Sequence, residues 1–165
     1  MSDIDAIIRP FAEGDRDMVN EFFDQMGPET RFYFNSTDHN RRFAMKFWTE
    51  TDPKKRKSTC FYAATIPNED GSELMVGYVF LWGLETKVPS LGICTRDGYK
   101  GKHLGKRLME TARQHAIDCG CGGITLTTHF ANIRGQALYK KCGYERVGTH
   151  SCGSEFLFLL RLPNE

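Results

Sequence analysis

Residues 91–112 read LGICTRDGYKGKHLGKRLMETA, and the order of residue types in this stretch decides the fold. Leu91 to Thr95 is a short run of strand formers, and the polar residues after it carry glycines at 98 and 101. From Leu104 the apolar positions fall at helical spacing: Leu104, Leu108, Thr111/Ala112 and His115/Ala116. Lys106, Arg107, Glu110, Arg113 and Gln114 lie on the other side, and Gly120 supplies the stop. A strand, a glycine turn and a helix in that order place free helix amides and aligned peptide dipoles where a phosphate binds.

Two readings of the turn compete. Lys100, Lys102, His103, Lys106 and Arg107 are either the charged start of a surface helix or a cradle for a polyanion. Positive charge at a helix N-terminus opposes the dipole, and a bound polyanion removes that conflict. The turn is neither of two standard phosphate motifs. Gly101 and Gly105 enclose three residues where a P-loop needs four, and Arg107 follows Lys106 where Ser or Thr is required. The glycines at 98, 101 and 105 do not make G-x-G-x-x-G.

Around this centre the chain alternates strand and helix signals. A strand at AIIRPF precedes a helix from Asp15, a candidate N-cap, to Met26, with Val19, Phe22, Phe23 and Met26 at helical spacing and Gly27 and Pro28 as the stop. A second amphipathic segment, Asp38 to Thr49, carries Phe43, Phe47 and Trp48. The basic run Lys54 to Lys57 reads as a solvated connector. STCFYAATI and ELMVGYVFLWGL, separated by the turn formers PNEDGS, read as an antiparallel pair. After the central helix come a strand from Gly123 to Phe130, a helix from Asn132 to Cys142 ended by Gly143, and the strands YERVGTH and SEFLFLLRL.

Composition limits the function classes. A chain of 165 residues with 40% apolar content suits one compact domain, spanning residues 1–165. With 22 basic and 21 acidic residues there is no global attraction for nucleic acid or an anionic membrane. No apolar run has the length of a membrane span, and MSDIDAIIRPF lacks the blocks of a signal peptide, so a cytoplasmic location is expected. The six cysteines are then expected as free thiols, and the Asn35 sequon carries no meaning. Cys119-x-Cys121 has no second pair at zinc spacing, so no metal is expected.

The span at 91–112, followed by NIRGQALYKKCGY at 132–144, resembles the GNAT superfamily of acyl-CoA-dependent N-acetyltransferases. The second stretch matches N-x-x-A-x-x-L-Y-x-x-x-G-F at Asn132, Leu138, Tyr139 and Gly143, with Tyr144 in the last place. The resemblance implies an α/β (α+β) fold: a mixed, mostly antiparallel twisted sheet of about seven strands with helices on both faces. Two departures stand out: His103 where the family has glycine, and Gly135 where it has alanine. Histidine there must fit without glycine's freedom, or donate to a phosphate itself. The smaller Gly135 is expected to be compatible.

By this resemblance Ile93, Cys94 and Thr95 pair with the pantetheine arm of acetyl-CoA, one of their amides polarising the thioester carbonyl. Lys100, Gly101, Lys102, His103, Leu104, Gly105 and Lys106 surround the pyrophosphate, and Asn132, Gly135 and Tyr139 lie against the cofactor. Tyr139 faces the departing sulfur. A phenol of pKa about 10 transfers its proton to a thiolate of about 8.5 only uphill, by roughly 2 kcal/mol, so its implied role is hydrogen-bond donor. Many relatives carry a glutamate on the strand before the turn as base, but KVPSLGICT has no carboxylate. Glu85, Asp97 and His129 are the candidates, each also readable as a surface charge or a strand-end residue.

The expected activity is acetyl transfer to a primary amine of a small molecule or peptide, directly, in a ternary complex. The alternative is a catalytically degenerate acyl-CoA-binding sensor or scaffold, motivated by His103 and the missing carboxylate. The expected partners are acyl-CoA and an amine, without nucleic acid or membrane, and a homodimer is compatible with the family. The acceptor itself is set by QMGPETRFYFNSTDHN and THSCGS, with Phe32, Tyr33 and Phe34 as a partly apolar wall.

Overall fold

A computed structural model describes residues 5–34, 37–100 and 103–163. Asn35 and two residues of the basic turn, Gly101 and Lys102, lie outside the described residues. The strands are β1 (Ile7–Pro10), β2 (Thr59–Pro67), β3 (Glu73–Trp82), β4 (Ser90–Thr95), β5 (Gly123–His129), β6 (Glu145–Thr149) and β7 (Glu155–Arg161). The helices are α1 (Arg16–Asp24), α2 (Pro28–Tyr33), α3 (Thr37–Thr49), α4 (Pro53–Lys57), α5 (Leu104–Asp118) and α6 (Ile133–Lys141). Among the described residues no helix is long and apolar enough to cross a membrane.

One sheet of order β1-β2-β3-β4-β5-β7-β6 carries all seven strands. Every neighbouring pair is antiparallel except β4 and β5. The period-2 alternation of β2 and β3 sends their side chains to two separate cores. On one face Val79, Leu81, Leu91, Ile124, Leu126 and Phe158 meet Leu104, Leu108 and Ala112 of α5 and Tyr139 of α6. On the other, Phe61, Ala63, Tyr78 and Phe80 meet Val19, Phe22 and Phe23 of α1 and Ala44 of α3. Phe22 and Phe23 are fully buried, each contributing roughly 1.5–3 kcal/mol relative to exposure.

Two local expectations are revised. Asp15 stands at the N-cap position of α1 but makes no side-chain cap bond to that helix. Its carboxylate accepts from the Ala12 amide at 2.8 Å and pairs with Arg9 at 2.6 Å, closing a short 3-10 turn, Glu13–Asp15, ahead of the helix. The basic connector is itself a helix, α4, with Pro53 at its start and Asp52 accepting from the Lys54 amide, and its residues are exposed.

Candidate active site

The site begins where β4 and β5 part. They are partners only at Ser90 and Thr125, with the Thr125 amide donating to the Pro89 carbonyl, and no later pair joins them. On β4, the bond from the Arg96 amide to the Val76 carbonyl fixes the ladder's alternation. Cys94, two residues back, aims its backbone at Tyr78 of β3, while Ile93 and Thr95 aim theirs at the gap. On β5 the bonds Leu162 to Gly122 and Phe130 to Ser154 do the same, leaving the backbone of Thr127 directed at the gap from the far side. The gap thus offers backbone donors and acceptors on both walls to an extended ligand. Of the three β4 residues expected to line it, Ile93 and Thr95 present backbone, and Cys94 is bonded toward β3 with a buried thiol pushed up to about 12 by that burial.

At the C-terminal end of the gap the chain turns into α5. Lys100 folds back so that its Nζ donates to the carbonyl and Oγ1 of Thr95, at 3.0 and 3.2 Å. His103 stands at the N-cap of α5 with φ of 58°, the one non-glycine in the left-handed region among the described residues. The chain therefore keeps, with a β-carbon, a conformation glycine adopts freely, at a cost of roughly 1–2 kcal/mol. The first turn of α5 has no acidic residue and no side-chain cap from His103, so its amides project as at any open helix start. Leu104 is buried beneath that turn and Lys106 is exposed. Gly105 permits α6 to approach, since a β-carbon there would lie 2.9 Å from Leu138.

Asn132 joins strand to helix. Its Oδ1 accepts from the Gly135 amide at 3.1 Å, capping α6, and its Nδ2 donates to Oγ1 of buried Thr128 at 3.0 Å. Gly135 lies close under this cap, where a β-carbon would come within 2.4 Å of Asn132 Nδ2 and oblige that side chain to shift. Tyr139 is buried on the α5 face beside Tyr144 and Phe158. Burial, with Cys94 and Cys142 nearby, holds its phenol well above the usual value of about 10.

The opposite face of the gap holds a second cavity, about 290 Å³, lined by Arg31, Phe32, Tyr33, His129, Ser154 and Glu155. The Phe32 and His129 rings meet at 4.8 Å, and Tyr33 donates to the Ala131 carbonyl at 3.3 Å. Phe34, grouped with these aromatics from sequence, packs instead in the core against Tyr78 and Phe80. His129 Nδ1 accepts from the Ala131 amide at 3.0 Å, so the neutral ring carries its proton on Nε2 and presents a donor. Glu155 is the direct cross-strand partner of His129. It brings a carboxylate to this cavity, and its place depends on the β5–β7 register, which residue order alone does not signal.

Of the other two candidate bases, Asp97 is engaged elsewhere and Glu85 is remote. Asp97 accepts from the Gly27 amide at 2.9 Å and from the Thr30 hydroxyl, which holds its carboxylate below the ordinary range and ties α2 to the basic turn. Glu85 lies in the connection ahead of β4, at the end of that strand opposite the gap. A larger cavity of about 420 Å³, lined by Phe43, Phe47 and Trp82 among others, also opens at that far end, away from the gap.

Comparison with known proteins agrees with this fold. A model of the acetyltransferase (GNAT) family matches residues 19–144. The GNAT domain of PAT from S. lividans is similar at 18% identity, over 95% of this chain and 90% of that one, with a TM-score of 0.75. Spermidine N-acetyltransferase from Vibrio cholerae, in complex with CoA and spermine, is similar at 14% identity over 94% and 95%, TM-score 0.68. PaiA N-acetyltransferase from Thermoplasma acidophilum, in complex with coenzyme A, is similar at 18% identity over 96% and 100%, TM-score 0.68. No curated protein sequence matches the chain.

Proposed function

Because the chain belongs to the acetyltransferase (GNAT) family, we propose that it moves an acetyl group from acetyl-CoA directly to a primary amine of a small molecule or peptide, within a ternary complex. The observation that carries this reading is the β4–β5 gap, which has a helix start and Tyr139 on one face and the His129–Glu155 cavity on the other.

The residues fit the acyl donor. The backbone groups of Ile93, Thr95 and Thr127 match the amides of a pantetheine arm, and the amides opening α5, with Lys106 beside them, match a pyrophosphate. Bound there, the thioester supplies the activated acyl group. A β4 amide donates to the carbonyl oxygen as it gains charge. The amine enters from the α2 side and gives a proton to Glu155, its nitrogen bonds to the acyl carbon, and the carbon–sulfur bond breaks. Tyr139 donates a hydrogen bond to the leaving sulfur. Its raised pKa makes full proton transfer costlier than ordinary phenol values imply, so solvent supplies that proton.

A panel of amines, aminoglycosides and peptides, scored for CoA release, tests the proposal. Steady release with at least one acceptor supports it. Tight acyl-CoA binding without release from any acceptor would establish the non-catalytic module instead.

A further inference from the structure

The tip joining β6 to β7 carries His150, Cys152 and Glu155. The His150 amide donates to the Glu155 carbonyl at 2.8 Å and the Gly153 amide to the His150 carbonyl at 2.9 Å, with φ of 81° at Gly153 reversing the chain. This folds the three side chains together, so that each offers one ligand atom within 4.8 Å of the other two. Cys152 Sγ lies 3.6 Å from Glu155 Oε1. Tetrahedral zinc, with bonds of about 2.3 Å to sulfur and 2.1 Å to oxygen, separates those two atoms by about 3.6 Å, so this pair already has the spacing. His150 Nδ1 accepts from the Cys152 amide at 3.2 Å, a bond that coordination through that nitrogen would replace.

We propose that His150, Cys152 and Glu155 form a zinc site of three protein ligands, with water in the fourth position, and that occupying it withdraws Glu155 from the acceptor cavity. A mixed thiolate, imidazole and carboxylate set suits zinc and excludes magnesium and calcium, which take oxygen ligands. His150 and Cys152 are exposed, which gives the ion a path in. Neither C-x-C spacing nor paired histidines announce this set, since its three ligands fall within six residues of one hairpin. The inhibitory half of the proposal rests on Glu155 serving the acceptor, and the binding half does not.

Cobalt(II) titration of the full chain, reduced and freed of metal, reads binding without turnover. The expected result is a near-ultraviolet thiolate-to-cobalt band with tetrahedral visible bands, displaced by one equivalent of zinc. Cys152→Ser should abolish the band, and His150→Ala should weaken binding at least tenfold, with each variant's zinc response read against its own metal-free rate. Zinc should inhibit the wild type and spare Cys152→Ser. No band at excess cobalt, or an undiminished band in Cys152→Ser, overturns the site. A band lost in Cys152→Ser but no zinc inhibition of an active wild type overturns the control of Glu155. If no acceptor is ever acetylated, the cobalt result still decides the site on its own.

Discussion

His129 and Glu155 stand directly opposite one another on β5 and β7, at a position one residue away from the bonded pair Phe130–Ser154. At such a position the two backbones do not bond to each other and the side chains come closest, so a ring and a carboxylate share one wall of the 290 Å³ cavity. With Nδ1 of His129 occupied by the Ala131 amide, Glu155 is the member of the pair to which the proposed mechanism gives the amine's proton.

Glu155→Gln keeps the shape and removes that acceptor. Turnover should fall on the order of a hundredfold, with the acyl-CoA Kd within twofold of wild type. Turnover at the wild-type level would remove Glu155 from the mechanism.

Tyr139→Phe deletes one hydroxyl from a buried ring. Loss of one hydrogen bond to the leaving sulfur should lower kcat on the order of tenfold and leave acyl-CoA affinity unchanged. Because burial raises the phenol's pKa, Tyr139 stays protonated through pH 10, and its ionisation should add no fall in rate below that pH. An alkaline limb near pH 10 that disappears in the phenylalanine variant would show an ordinary, exposed phenol.

Asp97 caps α2 from seventy residues away through the Gly27 amide. Asp97→Ala should cost about 1 kcal/mol of stability and raise the acceptor KM more than the acyl-CoA KM. The depressed carboxylate pKa gives the direction with pH: its stabilisation is fully present above the ordinary value of about 3.9 and is lost as pH falls through the lower folded-state value. Denaturation and steady-state kinetics of the variant check both effects, and an unchanged acceptor KM would sever α2 from acceptor binding.

His103 holds a left-handed backbone with a β-carbon. His103→Gly should relieve that strain and, after glycine's greater unfolded freedom is subtracted, raise stability by up to about 1 kcal/mol. Acyl-CoA affinity should stay within threefold if the helix amides hold the pyrophosphate. His103→Ala keeps the β-carbon, so a tenfold loss of affinity in both variants would assign the phosphate contact to the imidazole instead.

Much of this protein follows from residue order alone. The β4 strand, the basic turn, the amphipathic α5 and the Asn132 cap are local patterns, written in apolar spacing, glycine positions and a capping side chain. Contacts between distant segments were settled only by tertiary structure. The early separation of β4 from β5 turns one run of strand residues into a slot. The β5–β7 register sets Glu155 beside His129, where a shift of one residue would send it to the other face. Long-range closure also turns Asp97 into a cap for α2 and leaves Glu85 at the far end of β4. Local spacing fixes which segments become strands and helices, whereas the site depends on how those segments pair, and pairing is decided by packing across the whole sheet.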